Sequence, residues 1–455
     1  MRRTGCPTPP PDSSRAGIRC RVLIVGAGLT GLSTAYHLHQ AGRTDYLVVE
    51  AEDRPGGWVS TDWSGAWGAD RAIHVLHFHR SDVRDWVRQL LGDGWHEHRK
   101  NAVIDSHGVR TPYPFHAHLR GRPAGVVREC RLGIRQANLA RRGRALPPRT
   151  FAEWIDLEQG AGVAKHFMHP YNTKLWTVAP EEMGCDWMAD LVPFLGAARD
   201  PCGAGQPPGR ENRNETFDYP RRGAGDLALA LAARIRPIRF GTRLVALKPQ
   251  DHAAVLDDGQ VVRYQALVST IPLTKLGAML APLPSLEQDA CSRLESADLL
   301  IIDVGFVAPG DSNTHWVYLP DPEVLAYRLH LVHALSRSLM PPGCGLYCLE
   351  VSHSSHRPLP AGELRPRVVA DLVRTHWLQS PEQVVFYRER RFPCSYVIPR
   401  LASRQDATLL RDYARRWDIH SVGRFGEWKY SCQEDALLDG QRMAERLVGA
   451  ACGTQ

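Results

Sequence analysis

The sequence predicts an α/β fold in which a parallel β-sheet domain carries an inserted helical lobe and a twisted antiparallel β-sheet lobe. A short apolar run at residues 22–25 leads at once into glycines and a helical pattern, as a buried parallel strand does. After a long excursion, a second buried run at residues 266–271 would rejoin the first sheet. Between residues 299 and 350, short strand patterns recur between turns bounded by Pro and Gly, which indicates an antiparallel sheet.

The turn after the first apolar run carries a glycine motif typical of dinucleotide binding. Gly26, Gly28 and Gly31 form G-x-G-x-x-G before a helix predicted for residues 29–41. The first glycine permits a tight turn, the second lets the backbone approach a pyrophosphate, and the third allows the helix to pack closely. A second apolar run ends in Glu50, where a carboxylate can bind both ribose hydroxyls. The order of these features predicts a Rossmann-type dinucleotide-binding domain.

A second glycine pair narrows the predicted cofactor to FAD. The stretch Arg54-Pro55-Gly56-Gly57 follows the second predicted strand. This continuation resembles the extended fingerprint of the amine oxidase and protoporphyrinogen oxidase clan of flavoproteins, in which Gly56 and Gly57 would let the chain pass close to the cofactor. Taken alone, the pair would be interpreted as an ordinary turn.

Size and composition indicate a globular protein with more than one lobe. At 455 residues the chain is too long for one simple core, and it is 43% hydrophobic and 23% charged. No apolar run approaches the roughly 18 residues of a membrane span, so we expect no membrane partner. The net charge of +7 comes from scattered arginines and suits an anionic ligand such as a nucleotide diphosphate. Basic residues do not alternate with aromatics as in nucleic-acid grooves, so we expect no nucleic-acid partner.

The cysteines and the N-terminal segment favour a cytoplasmic enzyme. The eleven cysteines are scattered, and the pair Cys344 and Cys348 has no matching pair with which to hold zinc. We therefore expect reduced thiols. Residues 1–19 are proline-rich and polar and lack the apolar region of a signal peptide, so we expect a disordered tail there.

The first half of the chain alternates between strand and helix patterns. Alternation at residues 72–78 indicates a strand. The histidines in and just after it, His74, His77 and His79, have no Cys or carboxylate companions at ligand spacing, so no metal site is predicted. A capping box at residues 150–153 begins a helix. The other predictions here are a helix at 81–91, a hairpin of 101–104 with 109–113, a helical excursion at 119–150, and a segment at 165–188 that suits a packed helical lobe or a sugar or nucleobase pocket.

The second half predicts the remaining sheets and helices. These elements are a loop at 198–213, a strand at 217–220, a helix at 227–234, a meander of 243–247, 254–256 and 261–264, a helix at 363–378, a strand at 384–390 and an amphipathic helix at 434–448. Together they predict a tail (1–19), an FAD-binding domain (20–82, 215–285 and 410–450), a mainly helical substrate lobe (83–214) and an antiparallel sheet lobe (286–409).

With these segments in order, the chain resembles the UDP-galactopyranose mutases, the eukaryotic type more than the bacterial. The likeness extends over residues 21–448 and rests on segments such as TPYPFHAHL, FDYPRRGAGDLA, RRFPCSYVIPR and GRFGEWKYS. It implies a Rossmann-type FAD domain, a helical lobe and a twisted antiparallel sheet. It also implies a redox-neutral isomerisation of a nucleotide-diphosphate sugar, in which N5 of the reduced flavin attacks the anomeric carbon and expels the diphosphate. NAD(P)H is the candidate reductant.

The resemblance also implies roles for individual residues. Arg328 would be the main catalytic cation, and His74 would be the histidine on the flavin side. The residues expected at the substrate are Tyr318, Arg328, Tyr396 and Tyr430 for the diphosphate, and Asn172, Trp176 and Asn214 for the nucleotide and sugar. Those expected at FAD are Gly26, Gly28, Gly31, Glu50, Gly56, Gly57, Val245, Arg424 and Gln433. A guanidinium with phenolic hydroxyls can cradle a pyrophosphate, although a single tyrosine is more often a core residue.

Three positions depart from the family pattern. Asp70-Arg71-Ala72 stands where the family places Gly-Gly-His against the flavin, and His74 follows two residues later. The family's second phosphate arginine falls on Leu191, and its uracil-side glutamine falls on His116. These departures weaken the predicted diphosphate clamp and leave the identity of the base open.

Three functions are therefore weighed. The first is an FAD-dependent nucleotide-sugar mutase or a close variant, favoured by Arg328 with its tyrosines. The second is an FAD-dependent oxidoreductase of the same clan, acting on a small molecule or a sugar, favoured by the missing Gly-Gly-His. The third is a non-catalytic flavin-binding or scaffold protein, because fold alone does not decide function.

Overall fold

The computed structural model describes residues 17–143, 147–187, 215–308 and 313–452. Within these ranges the strands are β1 (Ile18–Arg19), β2 (Val22–Val25), β3 (Tyr46–Val49), β4 (Thr61–Ser64), β5 (Trp67–Asp70), β6 (Trp95–Arg99), β7 (Ala102–Ser106), β8 (Val109–Pro112), β9 (Thr216–Pro220), β10 (Ile238–Arg239), β11 (Leu244–Lys248), β12 (Ala253–Leu256), β13 (Val261–Arg263), β14 (Ala266–Ser269), β15 (Ser296–Val307), β16 (Trp316–Tyr318), β17 (Arg328–Leu331), β18 (Cys344–His353), β19 (Val384–Val397) and β20 (Ile419–Ser421). The helices are α1 (Leu29–Gln40), α2 (Ser81–Leu91), α3 (Ala124–Gly143), α4 (Phe151–Glu158), α5 (Ala161–Val163), α6 (His169–Trp176), α7 (Gly225–Ala232), α8 (Leu273–Met279), α9 (Ser285–Arg293), α10 (Val332–Leu335), α11 (Arg365–Arg374), α12 (Ser403–Arg415), α13 (Gly423–Gly426) and α14 (Gln433–Cys452).

A parallel sheet of five described strands forms the centre of the predicted cofactor domain. Its order is β10-β3-β2-β14-β20, so the returning strand β14 lies beside β2 as predicted. Helices α1 and α14 pack against each other beside this sheet, where the Ser33 hydroxyl donates to the Leu437 carbonyl oxygen at 2.6 Å. A Cβ at Gly440 would lie only 2.5 Å from the Thr30 carbonyl oxygen, so this helix contact requires glycine. The last helix of the chain is thereby held against the first.

A second sheet of seven described strands forms the other large layer. Its order is β19-β15-β18-β17-β16-β7-β8, and it is antiparallel except where β16 pairs with β7. Tyr318 lies opposite Arg328 across β16 and β17, and Arg328 lies opposite Glu350 across β17 and β18. Directly opposite residues on neighbouring strands share a face of the sheet. Three polar side chains therefore lie in one row across three strands.

The helical part begins as the sequence predicts. The Thr150 hydroxyl accepts a hydrogen bond from the Glu153 N–H at 3.1 Å and caps α4. The carboxylate of Glu153 reaches back to accept a hydrogen bond from the N–H of Arg149 at 2.9 Å. The predicted hairpin before this part is confirmed as β7 and β8, but it extends the seven-stranded sheet. The domain boundaries themselves stay predictions.

Two predicted segments differ in the structure. The strand expected at residues 72–78 is wrong, because Ala72 has a left-handed φ of +67° and only Leu76 forms a bridge, to Asp218. The N–H of the neighbouring Ile73 donates a hydrogen bond to the Glu350 carboxylate at 3.2 Å. In this segment a side chain therefore bonds to a backbone group that a strand would pair with another strand. The tail predicted for residues 1–19 is wrong at its end, because β1 pairs with β13.

No helix in the described part of the chain is both long enough and apolar enough to cross a membrane.

Candidate active site

The turn between β2 and α1 has the geometry that the glycine motif predicts. Gly26 has a φ of +104°, in the left-handed region that glycine adopts without steric cost. A Cβ at Gly31 would lie 2.0 Å from the Gly26 carbonyl oxygen, so any other residue would push α1 away from the turn. The first and third glycines therefore serve the turn and the helix packing.

Gly28 is not required by the protein itself. Its φ is −73°, and the nearest described atom that a Cβ would meet beyond its neighbours is the Gly56 carbonyl oxygen at 3.9 Å. Gly28 and Gly56 form a parallel bridge, and the Gly56 N–H donates to the Ala27 carbonyl oxygen at 2.8 Å. The G-x-G-x-x-G turn and the second glycine pair, Gly56-Gly57, thus lie side by side. The open space beside Gly28 fits the pyrophosphate of the predicted FAD.

Glu50 follows the end of β3 and holds the glycine turn. Its carboxylate accepts hydrogen bonds from the N–H groups of Ala27 at 2.7 Å and Glu52 at 2.9 Å. Burial raises the pKa of Glu50 in spite of these bonds. The Thr242 N–H donates to the Glu50 carbonyl oxygen, and Val245 shortly afterwards lies at a β-bulge of β11, where one residue is left without a cross-strand partner. Glu50 and the segment of Val245 therefore lie close together, so both can contact the same bound FAD, as predicted.

Arg424, Gln433 and His74 lie together at the other end of the predicted cofactor site. The Arg424 charge acts on His74, and the Gln433 amide donates to the Val75 carbonyl oxygen at 3.2 Å. Arg424 also donates to the Ser431 carbonyl oxygen at 3.1 Å. The structure thus gathers three residues that are far apart in the sequence.

The segment Asp70-Arg71-Ala72, which replaces the expected Gly-Gly-His, is tied to the cofactor turn. The Arg71 guanidinium donates to both carboxylate oxygens of Glu52, at 2.7 and 2.8 Å, and to the Gly57 carbonyl oxygen at 3.1 Å. Ala72 has the left-handed backbone that a glycine would adopt more readily. Arg71 therefore anchors the second glycine pair.

Arg328 is fixed by a buried carboxylate. Its guanidinium donates to Glu350 at 2.7 Å and to the Tyr396 hydroxyl at 3.3 Å. Glu350 is fully buried and also accepts from His330 at 2.6 Å and from the Tyr327 hydroxyl. Burial alone would raise the pKa of Glu350, but the Arg328 charge and the His330 contact hold it well below its usual range. The carboxylate therefore stays ionised and orients Arg328.

Glu350 is the site residue that the sequence analysis missed. It lies within LYCLEVS on β18, where every neighbour is buried. A charge in such a strand must be paired, because an isolated buried carboxylate is very costly. A lone acidic residue inside an apolar strand pattern is the signal that could have identified it.

Aromatic rings connect the predicted substrate and cofactor residues. Ring centroids of Trp176 lie 5.7 Å from Tyr396 and 5.5 Å from Tyr430, and the two tyrosines stack at 6.4 Å. The Arg424 guanidinium lies 4.6 Å from the Tyr430 ring and 5.3 Å from the Tyr396 ring. Asn172 lies one helical turn before Trp176 on α6 and donates to the Met168 carbonyl oxygen at 2.7 Å. The two predicted sets of residues therefore meet at Arg424.

Several of these residues keep a buried polar atom without a hydrogen-bond partner among the described residues. These atoms are Nε1 of Trp176, Nε of Arg328, Nε of Arg424 and Oε1 of Gln433. Such atoms also occur elsewhere among the described residues, so they do not by themselves mark a ligand site. The open space beside Gly28 is the feature that fits a bound FAD.

Some predicted residues lie elsewhere. Asn214 and Leu191, and the loop predicted for residues 198–213, are outside the described residues. His116, at the position of the family's glutamine, is half-buried near Gln159. Their roles stay predictions.

One described cluster has metal-ligand character. Ligand atoms of His79, Cys432 and Glu434 lie within 4.8 Å of one another. The buried Glu434 carboxylate already accepts from the N–H groups of His79 and Arg80 at the start of α2. A capping role therefore accounts for this carboxylate.

Buried histidines should make the fold sensitive to acid. Burial, with the Arg424 charge adding to it, lowers the pKa of His74 to about 4. Burial likewise lowers to about 4 the pKa values of His77, His116, His315, His333 and His420. Because the unfolded chain binds protons near pH 6.5 and the folded chain only near pH 4, the free energy of unfolding should fall across that window as pH falls. We expect the melting temperature to drop by several degrees, about the effect of a few kcal/mol.

Calorimetry at pH 7 and pH 5 would measure this drop. His74→Gln should reduce the pH dependence, because it removes one such histidine, whereas replacing the exposed His39 by Gln should not. Equal pH dependence in His74→Gln and the parent protein would contradict the expectation for His74.

The fold is similar to solved flavoenzyme structures. A crystal structure of reduced UDP-galactopyranose mutase superposes with a TM-score of 0.85 at 25% sequence identity, covering 95% of this chain and 94% of that one. This similarity confirms the resemblance and the predicted fold class.

Curated relatives match over short stretches. The chain is 41% identical over 73 residues to the L-amino acid oxidase of Cerastes cerastes, which is 15% of this chain and 14% of that protein. It is 49% identical over 54 residues to polyamine oxidase 1 of Zea mays, which is 12% of this chain and 11% of that protein. The chain thus spans less than a fifth of the length of these relatives.

The model of one protein family matches nearly the whole chain. It is described as flavin containing amine oxidoreductase and matches residues 29–448. The predictions of FAD as cofactor and of a flavoenzyme are confirmed by this match and by the mutase structure. The chain belongs to the flavin containing amine oxidoreductase family.

Proposed function

We propose that this flavoenzyme is a nucleotide-sugar mutase, which interconverts pyranose and furanose forms of a sugar bound to a nucleoside diphosphate. The observation that carries the proposal is the arrangement of Arg328 with Tyr318, Tyr396 and Tyr430, in which the rings of Tyr396 and Tyr430 also lie against the predicted flavin residue Arg424. The similarity to reduced UDP-galactopyranose mutase supports it.

The tyrosines suit the binding of a leaving diphosphate. Burial raises the pKa of Tyr396 to about 12, with the Glu350 charge adding to the effect, and burial raises the pKa of Tyr318 as well. Both hydroxyls therefore stay protonated near neutral pH and can donate to phosphate oxygens. Arg328 is already oriented by Glu350, so it would stabilise developing charge on the diphosphate with little reorganisation.

The flavin end of the site would hold the flavin ring next to the sugar of the substrate. Bound FAD in its reduced form supplies the nucleophile of a mutase without net redox change. Gly28 and Glu50 would hold its pyrophosphate and ribose, while Arg424 and Gln433 would hold the ring. His74, neutral near pH 7, can accept a proton or a hydrogen bond at this end.

An FAD-dependent oxidoreductase is the second candidate. The Arg328 charge is paired with Glu350 inside the site, which leaves less net positive charge for a diphosphate than an unpaired arginine would. The segment Asp70-Arg71-Ala72 also removes the element that the mutases place against the flavin. Short matches to L-amino acid oxidase and polyamine oxidase support this alternative.

Redox-neutral turnover separates the two candidates. We expect the enzyme, reduced with dithionite under nitrogen, to convert one nucleotide sugar of a test panel into its ring isomer. Chromatography of the reaction mixture would detect the isomer. A mutase ends its cycle with the flavin still reduced, whereas an oxidase passes two electrons per product to an acceptor. Mass spectrometry of the denatured protein should also detect a covalent flavin–sugar adduct. Steady peroxide formation with an oxidised product, and no isomer under nitrogen, would favour the oxidoreductase.

A further inference from the structure

Lys174 is a buried lysine in the middle of α6, between two residues of the candidate site. Its side chain is 4% exposed. Its ammonium nitrogen lies within hydrogen-bond distance of four backbone carbonyl oxygens. They belong to Leu319 (2.7 Å), Asp321 (3.1 Å), Val324 (2.7 Å) and Ala326 (2.6 Å). All four acceptors belong to the single connection between β16 and β17.

The bonds from Lys174 to these four carbonyl oxygens fix the loop between β16 and β17 to helix α6. A buried ammonium is costly unless hydrogen bonds replace its water, and Lys174 has three N–H groups for four oxygens. A ring of backbone carbonyls is also how proteins coordinate monovalent cations. Because the acceptors are main-chain atoms, any shift of the loop relative to α6 breaks several charge-assisted bonds together.

The same loop is also held by contacts that do not involve Lys174. The Leu325 N–H donates to the Asp371 carboxylate at 2.9 Å, and Asp371 lies on α11. The Leu319 N–H donates to the Tyr327 carbonyl oxygen at 2.8 Å. The loop is therefore bonded both to α11 and to Lys174.

The two elements joined by Lys174 carry different parts of the candidate site. On α6, Asn172 and Trp176 flank Lys174, and both are predicted on the nucleotide and sugar side. The loop joins Tyr318 directly to the strand that begins at Arg328, and both are predicted on the diphosphate side.

We propose that Lys174 is a positioning residue that sets the distance between the nucleotide side and the diphosphate side of the substrate site. This inference rests on the proposed function. A ligand that spans both sides binds well only if their spacing is set before it arrives. The ammonium does not need to touch the ligand, because it acts through the loop and the helix.

The test compares Lys174→Met with Lys165→Met in the full-length holoenzyme. Methionine replaces the apolar stem of lysine as far as Cε but has no ammonium to bond to the carbonyls, and Lys165 is a largely exposed lysine shortly before α6. We expect Lys174→Met to retain FAD and to weaken UDP binding by about ten-fold, a usual coupling within one bonded network. Lys165→Met should bind UDP as the parent does. Unchanged UDP affinity in a folded Lys174→Met protein would overturn the proposal.

Hydrogen exchange supplies a readout that needs no ligand. Lys174→Met should speed amide exchange at residues 319–327 while exchange in the parallel sheet stays unchanged. If the parent protein binds neither UDP nor other nucleoside diphosphates, the proposed function fails, and the exchange result alone decides whether Lys174 holds the loop. Exchange at 319–327 equal to that of the parent would overturn that role.

A third variant covers failure to fold. Lys174→Arg keeps the charge, but a planar guanidinium cannot place one nitrogen among four oxygens. If Lys174→Met does not fold, Lys174→Arg should show the same weakened UDP binding with FAD retained. Parental affinity in Lys174→Arg would contradict the positioning role.

Discussion

Gly28→Val should give a folded protein that purifies without flavin. The backbone at Gly28 has an ordinary φ of −73°, and the nearest described atom that a Cβ would meet is 3.9 Å away, so the protein itself accepts a side chain there. A valine would instead occupy the space beside Gly56 that fits the pyrophosphate. Overpacking costs about 1–3 kcal/mol, or about a ten- to hundred-fold loss of FAD affinity. The ratio of visible flavin absorption to protein absorption after purification measures it.

Two matched glycine variants make this result specific. Gly125→Val, in the first turn of α3, also has open space and should keep its flavin. Gly31→Ala should lose flavin together with folded structure, because its Cβ would lie 2.0 Å from the Gly26 carbonyl oxygen. A full flavin spectrum in Gly28→Val would show that the FAD site has been misplaced.

The cofactor half could be predicted from sequence because its signals are local. The strand, three glycines, helix and second strand lie within 31 consecutive residues, 20 to 50, and each glycine has a separate steric reason. The confirmed positions of β2, α1, β3 and β14 follow from this pattern. The two-residue strand β10 and the three-residue strand β20 were not predicted, because segments that short carry no readable period.

The substrate half depended on contacts that cross the sequence. Arg328 and Tyr396 were placed by resemblance, whereas the carboxylate that orients Arg328 lies 22 residues further along and is met through sheet register. Ala72 misled the strand prediction because its left-handed backbone has no signal in an alternating pattern. Lys174 gave no signal either, since its acceptors are backbone atoms whose arrangement only the fold reveals.

The replacement of Gly-Gly-His changes what holds the flavin-side segment. In this chain Arg71 bonds to Glu52 and to the Gly57 carbonyl oxygen, so the segment is anchored to the cofactor turn by charge. A flexible glycine pair would allow the segment to move, and an anchored arginine restricts such movement. If the mutase proposal holds, the residue most suitable to act at the flavin from this side is His74.

Arg328→Ala should produce the largest loss of ligand binding while FAD stays bound. Arg328 would be the main cation facing the diphosphate, with Leu191 at the position of the family's second arginine. Truncating one partner of a buried charge pair costs about 2–5 kcal/mol, so UDP affinity should fall ten-fold or much more. Isothermal titration with UDP measures it. Arg391→Ala, on the exposed part of β19, is the matched control and should bind UDP normally.

The same substitution should also destabilise the fold, and this effect must be separated from binding. Without Arg328, the fully buried Glu350 must either keep its charge with one partner fewer or take up a proton, and breaking such a buried pair typically costs about 3–5 kcal/mol. Adding Glu350→Gln to Arg328→Met removes both charges, so the double variant should melt at a higher temperature than Arg328→Ala yet still bind UDP weakly. If the double variant, with its stability restored, bound UDP and other nucleoside diphosphates as the parent does, the argument for a phosphate cradle at Arg328 would be lost.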